Sequence, residues 1–145
     1  MELKQQIYQN LRNQGCRITA HKRSLIEMLI NNLGRFLSIT DLENLIPDSV
    51  SMDTSTIYRT VMTLQEHGLI ESMIDDNGLT SYMLCHELGV HHHHLICTGC
   101  GKTIIIPCQP QLWQDASQQC QFLVTHHKVE IYGLCADCQA RGLKS

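Results

Sequence analysis

Residues 54–84 read TSTIYRTVMTLQEHGLIESMIDDNGLTSYML, and the hydrophobic period changes within this stretch. The first half has apolar residues at helical spacing: Ile57, Val61 and Leu64. Gly68 follows them, and glycine commonly ends a helix. Beyond it, the apolar segments LIESMI and LTSYML flank Asp76-Asn77-Gly78, which is a strong turn signal. The stretch therefore predicts one helix followed by an antiparallel hairpin over residues 69–84.

Two further helices are predicted before this stretch. Thr19 is a suitable N-cap for a helix with an apolar face. That face consists of Leu25, Ile26, Leu29 and Ile30. The sequence TDLE at 40–43 fits a capping box for a short second helix that Pro47 would end, and Asp53 or Ser51 could cap the third. Three helices followed by a hairpin is the order of a winged helix-turn-helix, whose third helix enters the major groove of DNA.

The third helix has a polar face that could contact DNA. If the apolar positions of this helix face inward, its outward residues are Thr54, Ser55, Tyr58 and Arg59. Arg59 could hydrogen-bond to guanine or bind a phosphate, and Tyr58 could pack on a thymine methyl group. The helix pattern alone fits an ordinary helical bundle with solvated side chains equally well.

The composition of the chain points to metal. Eight cysteines and nine histidines in 145 residues are more than packing requires. The N-terminal sequence is charged and lacks an apolar signal region, so we expect a reducing, cytosolic protein in which paired cysteines favour metal over disulfide bonds. The net charge of −3 argues against indiscriminate attraction to nucleic acid.

After residue 85 the sequence predicts a second, smaller α+β unit. HHHHLI, KTIII and FLVTHHKVEIYG read as strands, and QPQLWQDASQQC reads as a helix. Two Cys-x-x-Cys pairs lie in this unit: Cys97 with Cys100, and Cys135 with Cys138. Four thiolates in this arrangement predict a closed structural zinc site, without an open position for catalysis. Two disulfides or four free thiols are the alternatives, and the reducing compartment disfavours both.

The histidine run His91–His94 precedes the first cysteine pair. Alternate residues of a strand point to opposite faces, so the run should form two pairs, each able to bind a different metal ion. The pairs are His91 with His93, and His92 with His94. Cys85 and Glu71 could complete one site, while His126 and His127 are available to the other. A lone histidine is usually only solvated, but four beside a cysteine pair make that reading improbable for the set.

Four segments of the chain resemble the ferric uptake regulator family of bacterial metal-responsive repressors. They are RITAHKRSLIEML, STIYRTVMTLQEHGLIE, HHHHLICTGCGK and HKVEIYGLCADC, in the family's order and spacing. The resemblance implies an α+β fold in which residues 1–84 form a winged helix-turn-helix DNA-binding domain. Residues 85–145 would form a small α/β dimerisation and metal-binding domain with a structural zinc site. Within the family the chain is most similar to zinc uptake regulators, because thiolate ligands such as Cys85 favour zinc over iron.

The resemblance also implies residue roles. The chain would bind an AT-rich inverted-repeat DNA operator as a zinc-loaded homodimer and repress metal uptake genes. The structural zinc ligands would be Cys97, Cys100, Cys135 and Cys138. The sensing ligands would be Glu71, Cys85, His92 and His94. The DNA contacts would include Thr54, Ser55, Tyr58, Arg59, Arg17, Lys22 and Arg23.

The sequence departs from the family pattern at two places. Relatives with a third metal site combine His91, His93 and His127 with a carboxylate, and Leu112 stands at the carboxylate position here. In addition, Lys22 followed by Arg23 replaces the family's arginine near the start of a helix, so a phosphate contact with altered geometry is expected.

Other functions are compatible with parts of the sequence. An iron- or peroxide-sensing member of the same family is one alternative, and a zinc-carrying or protein-interaction module is another. A zinc hydrolase would need an open metal position and a general base, and neither HExxH nor a deaminase motif is present, so no enzyme activity or small-molecule substrate is expected. The remaining cysteines, Cys16, Cys108 and Cys120, are interpreted as small hydrophobic residues.

Overall fold

A computed structural model describes residues 2–85 and 90–144 of the chain. The chain divides into two units, residues 1–89 and residues 90–145. The division falls a few residues beyond the predicted boundary after Leu84. Because the Cys85 N–H donates to the Leu69 carbonyl at 2.8 Å, Cys85 belongs to the hairpin of the first unit.

Within its described residues, 2–85, the first unit contains four helices and three short strands. They are α1 (Leu3–Asn13), α2 (Ala20–Asn31), β1 (Leu37–Ser38), α3 (Ile39–Leu45), α4 (Thr54–Glu66), β2 (Ile70–Ile74) and β3 (Thr80–Leu84). The predicted caps of α2 and α4 are confirmed, since Thr19 accepts the N–H of Lys22 and Asp53 accepts the N–H of Thr56. The amphipathic N-terminal segment forms α1, an additional helix.

The cap of α3 differs from the prediction. The helix begins two residues earlier than TDLE indicated, with Ser38 rather than Thr40 at its N-cap. Ser38 accepts the N–H of Asp41, and the Asp41 carboxylate accepts the N–H of Ser38 at 2.8 Å. The box therefore uses aspartate in place of glutamate, a shorter side chain that the sequence pattern did not anticipate.

The hairpin and the helices of the first unit share one apolar core. The sheet order is β1-β3-β2 with antiparallel pairing. At the turn, Asp75 accepts the N–H groups of Asn77 and Leu79, and Gly78 takes a φ of 81°. The inward positions predicted for α4 are confirmed, because their side chains are fully buried: Ile57, Val61 and Leu64. This unit is the winged helix-turn-helix that the sequence predicted.

The second unit is a small α/β arrangement. Its elements are β4 (His92–Cys97), β5 (Thr103–Pro107), α5 (Gln111–Gln119), β6 (Glu130–Gly133) and α6 (Ala136–Ala140). The sheet order is β5-β4-β6, in which β4 pairs antiparallel with β5 and parallel with β6. The last predicted strand is too long, since only Glu130–Gly133 of residues 122–133 is strand. The preceding residues are mostly exposed, and their contact with β4 is at Val129, whose carbonyl accepts the N–H of His94 at 3.2 Å.

The second unit buries few apolar side chains. Among its described residues, the buried apolar and thiol side chains are Ile96, Cys97 and Cys138. No residue of helix α5 is fully buried in the single chain, and Trp113 and Ser117 are half-buried. None of the helices in the described ranges has the length and apolar character needed to cross a membrane.

Candidate metal centres and DNA-contacting surface

Four cysteines of the second unit form one cluster. Their sulfur atoms all lie within 4.8 Å of one another, as predicted for Cys97, Cys100, Cys135 and Cys138. No disulfide joins cysteines in the described part of the chain. The cluster forms where β4 and α6 meet, because Cys97 ends β4 and Cys138 lies within α6. Gly99 permits this approach, since a Cβ atom there would lie 2.9 Å from the Cys138 sulfur.

The geometry of this cluster fits a tetrahedral ion. A Zn–S bond of about 2.3 Å implies an S···S edge of about 3.8 Å. The sulfur atoms of Cys100 and Cys135 are 3.8 Å apart. The backbone N–H of Cys135 donates to the Cys97 sulfur at 3.2 Å and lowers the pKa of Cys97 to about 6, whereas burial raises the pKa of Cys138 to about 12. Four protein ligands leave no open position, so the cluster fits a structural zinc site.

The histidine run separates into the two predicted pairs. The rings of His91 and His93 are 4.7 Å apart, and those of His92 and His94 are 5.1 Å apart. His91 precedes β4, and the other three lie within it. The alternation of side chains along the strand is the reason for this separation.

The first pair belongs to a second cluster within the same unit. Its members are His91, His93, Cys108 and His127, with ligand atoms within 4.8 Å of one another. The Nε2 atoms of His91 and His127 are 2.7 Å apart, and the Cys108 sulfur is 3.3 Å from Nε2 of His127. Burial lowers the pKa of both His93 and His127, which favours the neutral imidazole that binds metal.

His126, the other residue predicted to be available to this pair, is not among the ligands of the cluster, and Leu112 stands where relatives have a carboxylate. His126 contacts the hydroxyl of Thr125 at 3.1 Å, and Leu112 lies exposed on α5. Cys108 is the residue that the sequence analysis missed, because it was interpreted as a small hydrophobic residue. It is half-buried and contacts an imidazole. The strand register would have indicated it: His92 pairs with Pro107, so the next position places Cys108 opposite His91.

The predicted sensing ligands occur as one pair in each unit. In the first unit, a carboxylate oxygen of Glu71 and the sulfur of Cys85 lie within 4.8 Å of each other, one on β2 and the other just after β3. In the second unit, Nδ1 of His92 lies 2.7 Å from the Val90 carbonyl. A proton on Nδ1 would leave Nε2 of His92 available to a metal ion. A site that combines the two pairs stays a prediction.

The predicted DNA contacts lie on exposed or half-buried surface of the first unit. Tyr58 is 50% exposed, and Thr54, Ser55 and Arg59 are also exposed on α4. Arg17 and Arg23 are exposed near the start of α2. Lys22 differs from them, because its ammonium group donates to the Arg17 carbonyl at 2.8 Å and to the Cys16 sulfur at 3.2 Å. A phosphate would have to compete with these two contacts.

Sequence comparison places similar proteins in one family of metal-responsive regulators. The sequence profile of the ferric uptake regulator family matches residues 13–132. The peroxide-responsive repressor PerR of Staphylococcus saprophyticus is 31% identical over 133 residues, which cover 90% of this chain and 87% of that protein.

Solved structures share the fold. A zinc uptake regulator in complex with zinc and DNA aligns with a TM-score of 0.72 and 22% identity, covering 97% of this chain and 95% of that one. The ferric uptake regulator Fur of Helicobacter pylori, described as having three functional metal binding sites, aligns with a TM-score of 0.65 and 19% identity. That alignment covers 94% of this chain and 91% of the other.

Proposed function

The chain belongs to the ferric uptake regulator family and is a metal-responsive transcription regulator rather than an enzyme, and we propose that zinc is the ion that it senses. The observation that supports zinc is the Glu71–Cys85 pair, which offers one thiolate and one carboxylate within 4.8 Å. Thiolate ligands favour zinc, whereas iron and manganese sites of this kind are richer in oxygen and nitrogen.

The sensing site that we propose joins ligands from the two units. Glu71 and Cys85 would bind the ion together with His92 and His94. Each unit holds its own pair in place, so the ion has only to bring two prearranged halves together. Zinc binding would then fix the orientation of the winged helix relative to the second unit.

This coupling would control DNA affinity in a homodimer. The recognition helices of a twofold dimer must match half-sites about 34 Å apart or a multiple of that distance. Without zinc the two recognition helices of the dimer would sample many separations, and few of these would match the spacing of the DNA half-sites. Shifting the dimer from mostly mismatched to mostly matched separations needs roughly 5 kcal/mol of differential binding, which a site with two nitrogen ligands, one sulfur ligand and one oxygen ligand can supply.

The DNA contacts that we propose divide into two groups. On α4, Tyr58 and Arg59 would reach base edges, with Thr54 and Ser55 beside them at the start of the helix. Three basic residues near α2 would contact phosphates: Arg17, Lys22 and Arg23. The partner is an AT-rich inverted repeat, bound in the cytoplasm, and the regulated genes would serve metal uptake. A net charge of −3 limits non-specific attraction, so this recognition depends on local contacts.

Peroxide sensing is the second candidate function. It is favoured by the 31% identity to the peroxide-responsive repressor of S. saprophyticus. The two candidates differ in what releases DNA. A zinc sensor binds its operator with zinc, which has no redox chemistry, whereas a peroxide sensor binds it with iron and loses it when hydrogen peroxide reacts at that iron.

A substitution at Cys85 tests the zinc proposal. We expect Cys85→Ser to abolish zinc-dependent binding to AT-rich inverted-repeat duplexes in a gel-shift assay, because serine is a poor zinc ligand. Zinc at the four-cysteine cluster and the dimer should persist, as measured by metal analysis and sedimentation. Cys120→Ser is the matched control, because Cys120 is exposed and belongs to no cluster of the described residues.

Two results would overturn the proposal. The first is a Cys85→Ser protein that binds the duplexes with unchanged zinc dependence. The second is a wild-type protein that binds only with iron or manganese and is released by hydrogen peroxide. The second result would assign the chain to peroxide sensing.

A further inference from the structure

One metal-ligating cluster plays no part in the function proposed above. Its ligand atoms come from His91, His93, Cys108 and His127. The carboxylate that relatives use with three of these residues is replaced by Leu112, which is apolar and 71% exposed. We propose that Cys108 supplies the missing ligand and that the cluster is a sulfur-containing site for a thiophilic divalent cation such as zinc. This proposal does not depend on which metal ion binds at the sensing site that includes Cys85.

The ligand atoms are close to the spacing of a tetrahedral site. Bonds of about 2.0 Å to nitrogen and 2.3 Å to sulfur imply edges of about 3.3 Å between nitrogens and about 3.6 Å between nitrogen and sulfur. The observed distances are 2.7 Å between Nε2 of His91 and His127, and 3.3 Å from the Cys108 sulfur to Nε2 of His127. Entry of an ion therefore requires these side chains to separate by only about 0.6 Å or less.

His93 contributes the most buried ligand. Its side chain is 3% exposed, and its Nε2 atom has no hydrogen-bond partner among residues 2–85 and 90–144. A buried polar atom without a partner is costly, and an ion in the cluster would give Nε2 one. Coordination through Nε2 needs the proton on Nδ1, so the contact from the Val129 N–H to Nδ1 would be lost. That contact is 3.2 Å long and therefore weak.

Cys108 reaches the cluster from a different element than the family's carboxylate would. It follows β5 directly, one position beyond the pair formed by His92 and Pro107, and so lies beside His91, which precedes β4, whereas Leu112 lies on α5. The backbone pairing of β4 and β5 thus sets the Cys108 position. The position of the sulfur is therefore fixed by the pairing of β4 with β5, which ends at Pro107 directly before Cys108.

The donor set determines the class of ion. Three imidazoles and one thiolate suit zinc or cobalt in tetrahedral geometry, whereas magnesium and manganese prefer oxygen ligands. Binding removes the thiol proton of Cys108, which passes to solvent, and leaves the site with one net positive charge.

An ion in this cluster would hold α5 to the sheet. Cys108 precedes α5 and His127 follows it, while the histidines of the run belong to β4 or precede it directly. No side chain of α5 is fully buried in the single chain, and Trp113 is half-buried. One contact across the site comes from Trp113, whose ring lies 4.0 Å from the ring of His127. Trp113 is the single tryptophan of the chain and reports on the site.

Cobalt binding to the full-length protein tests the proposal. Mild chelation is applied so that zinc remains in the four-cysteine cluster, and Co²⁺ is then titrated while Trp113 emission and the sulfur-to-cobalt charge-transfer absorption are recorded. We expect quenching of Trp113 in the wild type and in Cys120→Ser. In Cys108→Ser the midpoint should rise about tenfold or more, with zinc in the four-cysteine cluster retained.

Further variants make the result decisive. Cys108→Asp keeps a ligand without sulfur, so it should restore quenching but show a weaker charge-transfer band than the wild type. If Cys108→Ser misfolds and loses its structural zinc, the comparison of Cys108→Asp with the wild type still tests the proposal. Cys85→Ser should leave the Trp113 signal unchanged, which separates this site from the sensing site. Equal Trp113 titration midpoints for the wild type and Cys108→Ser, or an undiminished sulfur band in Cys108→Asp, would overturn the proposal.

Discussion

The two units of this protein are stabilised in different ways. In its described residues, the first unit packs all four helices and its hairpin around an apolar core that includes Ile7, Leu25, Leu42, Leu64 and Leu84. Among the described residues of the second unit, the buried side chains are mostly histidines and cysteines, with few aliphatic ones. Both units are small, and small domains with little core usually need disulfides or metal.

The difference assigns different roles to the same kind of residue. In the first unit, Cys16 is half-buried beside the core, and its loss would remove a small amount of packing. In the second unit, Cys97 and Cys138 are buried because they belong to a four-thiol cluster. Metal held by this cluster would therefore stabilise the second unit as apolar burial stabilises the first, and we expect each unit to be destabilised by a different substitution.

The largest effect is expected from the four-cysteine cluster. Cys138→Ser should unfold the second unit and release its zinc, while the first unit remains folded. A structural zinc site contributes on the order of 10 kcal/mol to the folding of a small domain. Hydrogen exchange resolved by segment, together with metal analysis, would measure this. Cys120→Ser is the control, and retention of zinc by Cys138→Ser would contradict the metal-based account of the second unit.

The converse change is a cavity in the first unit. Leu64→Ala removes a fully buried side chain and should cost about 2–5 kcal/mol of unfolding free energy. Zinc content of the second unit should stay unchanged. Urea denaturation would report the stability, and Leu79→Ala, at a 53% exposed position, should stay within about 0.5 kcal/mol of wild type. Loss of zinc in Leu64→Ala would show that the two units do not fold separately.

A smaller change sharpens the comparison within the metal cluster. Gly99→Ala places a Cβ atom 2.9 Å from the Cys138 sulfur and should weaken zinc binding by about 1–3 kcal/mol through overpacking. Gly133→Ala is the matched control, because a Cβ atom there meets nothing within 4 Å. Competition with a chromogenic chelator would measure the zinc affinity of both variants. Equal zinc affinity in the two variants would mean that the cluster tolerates a shift of α6.

Local sequence signals predicted most of the first unit. Thr19 and Asp53 cap their helices as expected, and the turn at Asp75–Gly78 joins the predicted strands. These features depend on residues only a few positions apart, so propensity and spacing are sufficient to find them. The cap of α3 was missed because Ser38 and Asp41 satisfy the same hydrogen bonds as the expected glutamate box.

The second unit was predicted less completely. The four-cysteine cluster and the two histidine pairs follow from spacing and strand alternation, and the structure brings both together. The strand predicted for residues 122–129 does not form, and the pairing with β4 begins only at Glu130. Cys108 was missed for a related reason, since its neighbour His91 is adjacent only through the pairing of β4 with β5.

The sequence alone identified the family through the resemblance of four segments. It also predicted the winged helix, the two cysteine pairs and the division of the histidine run, because these features depend on short spacings or on the alternation of a single strand. Only the tertiary structure decided which residues join the His91–His93 pair. Strand register sets those contacts, and register depends on packing between distant segments that the periodicity of one segment does not specify.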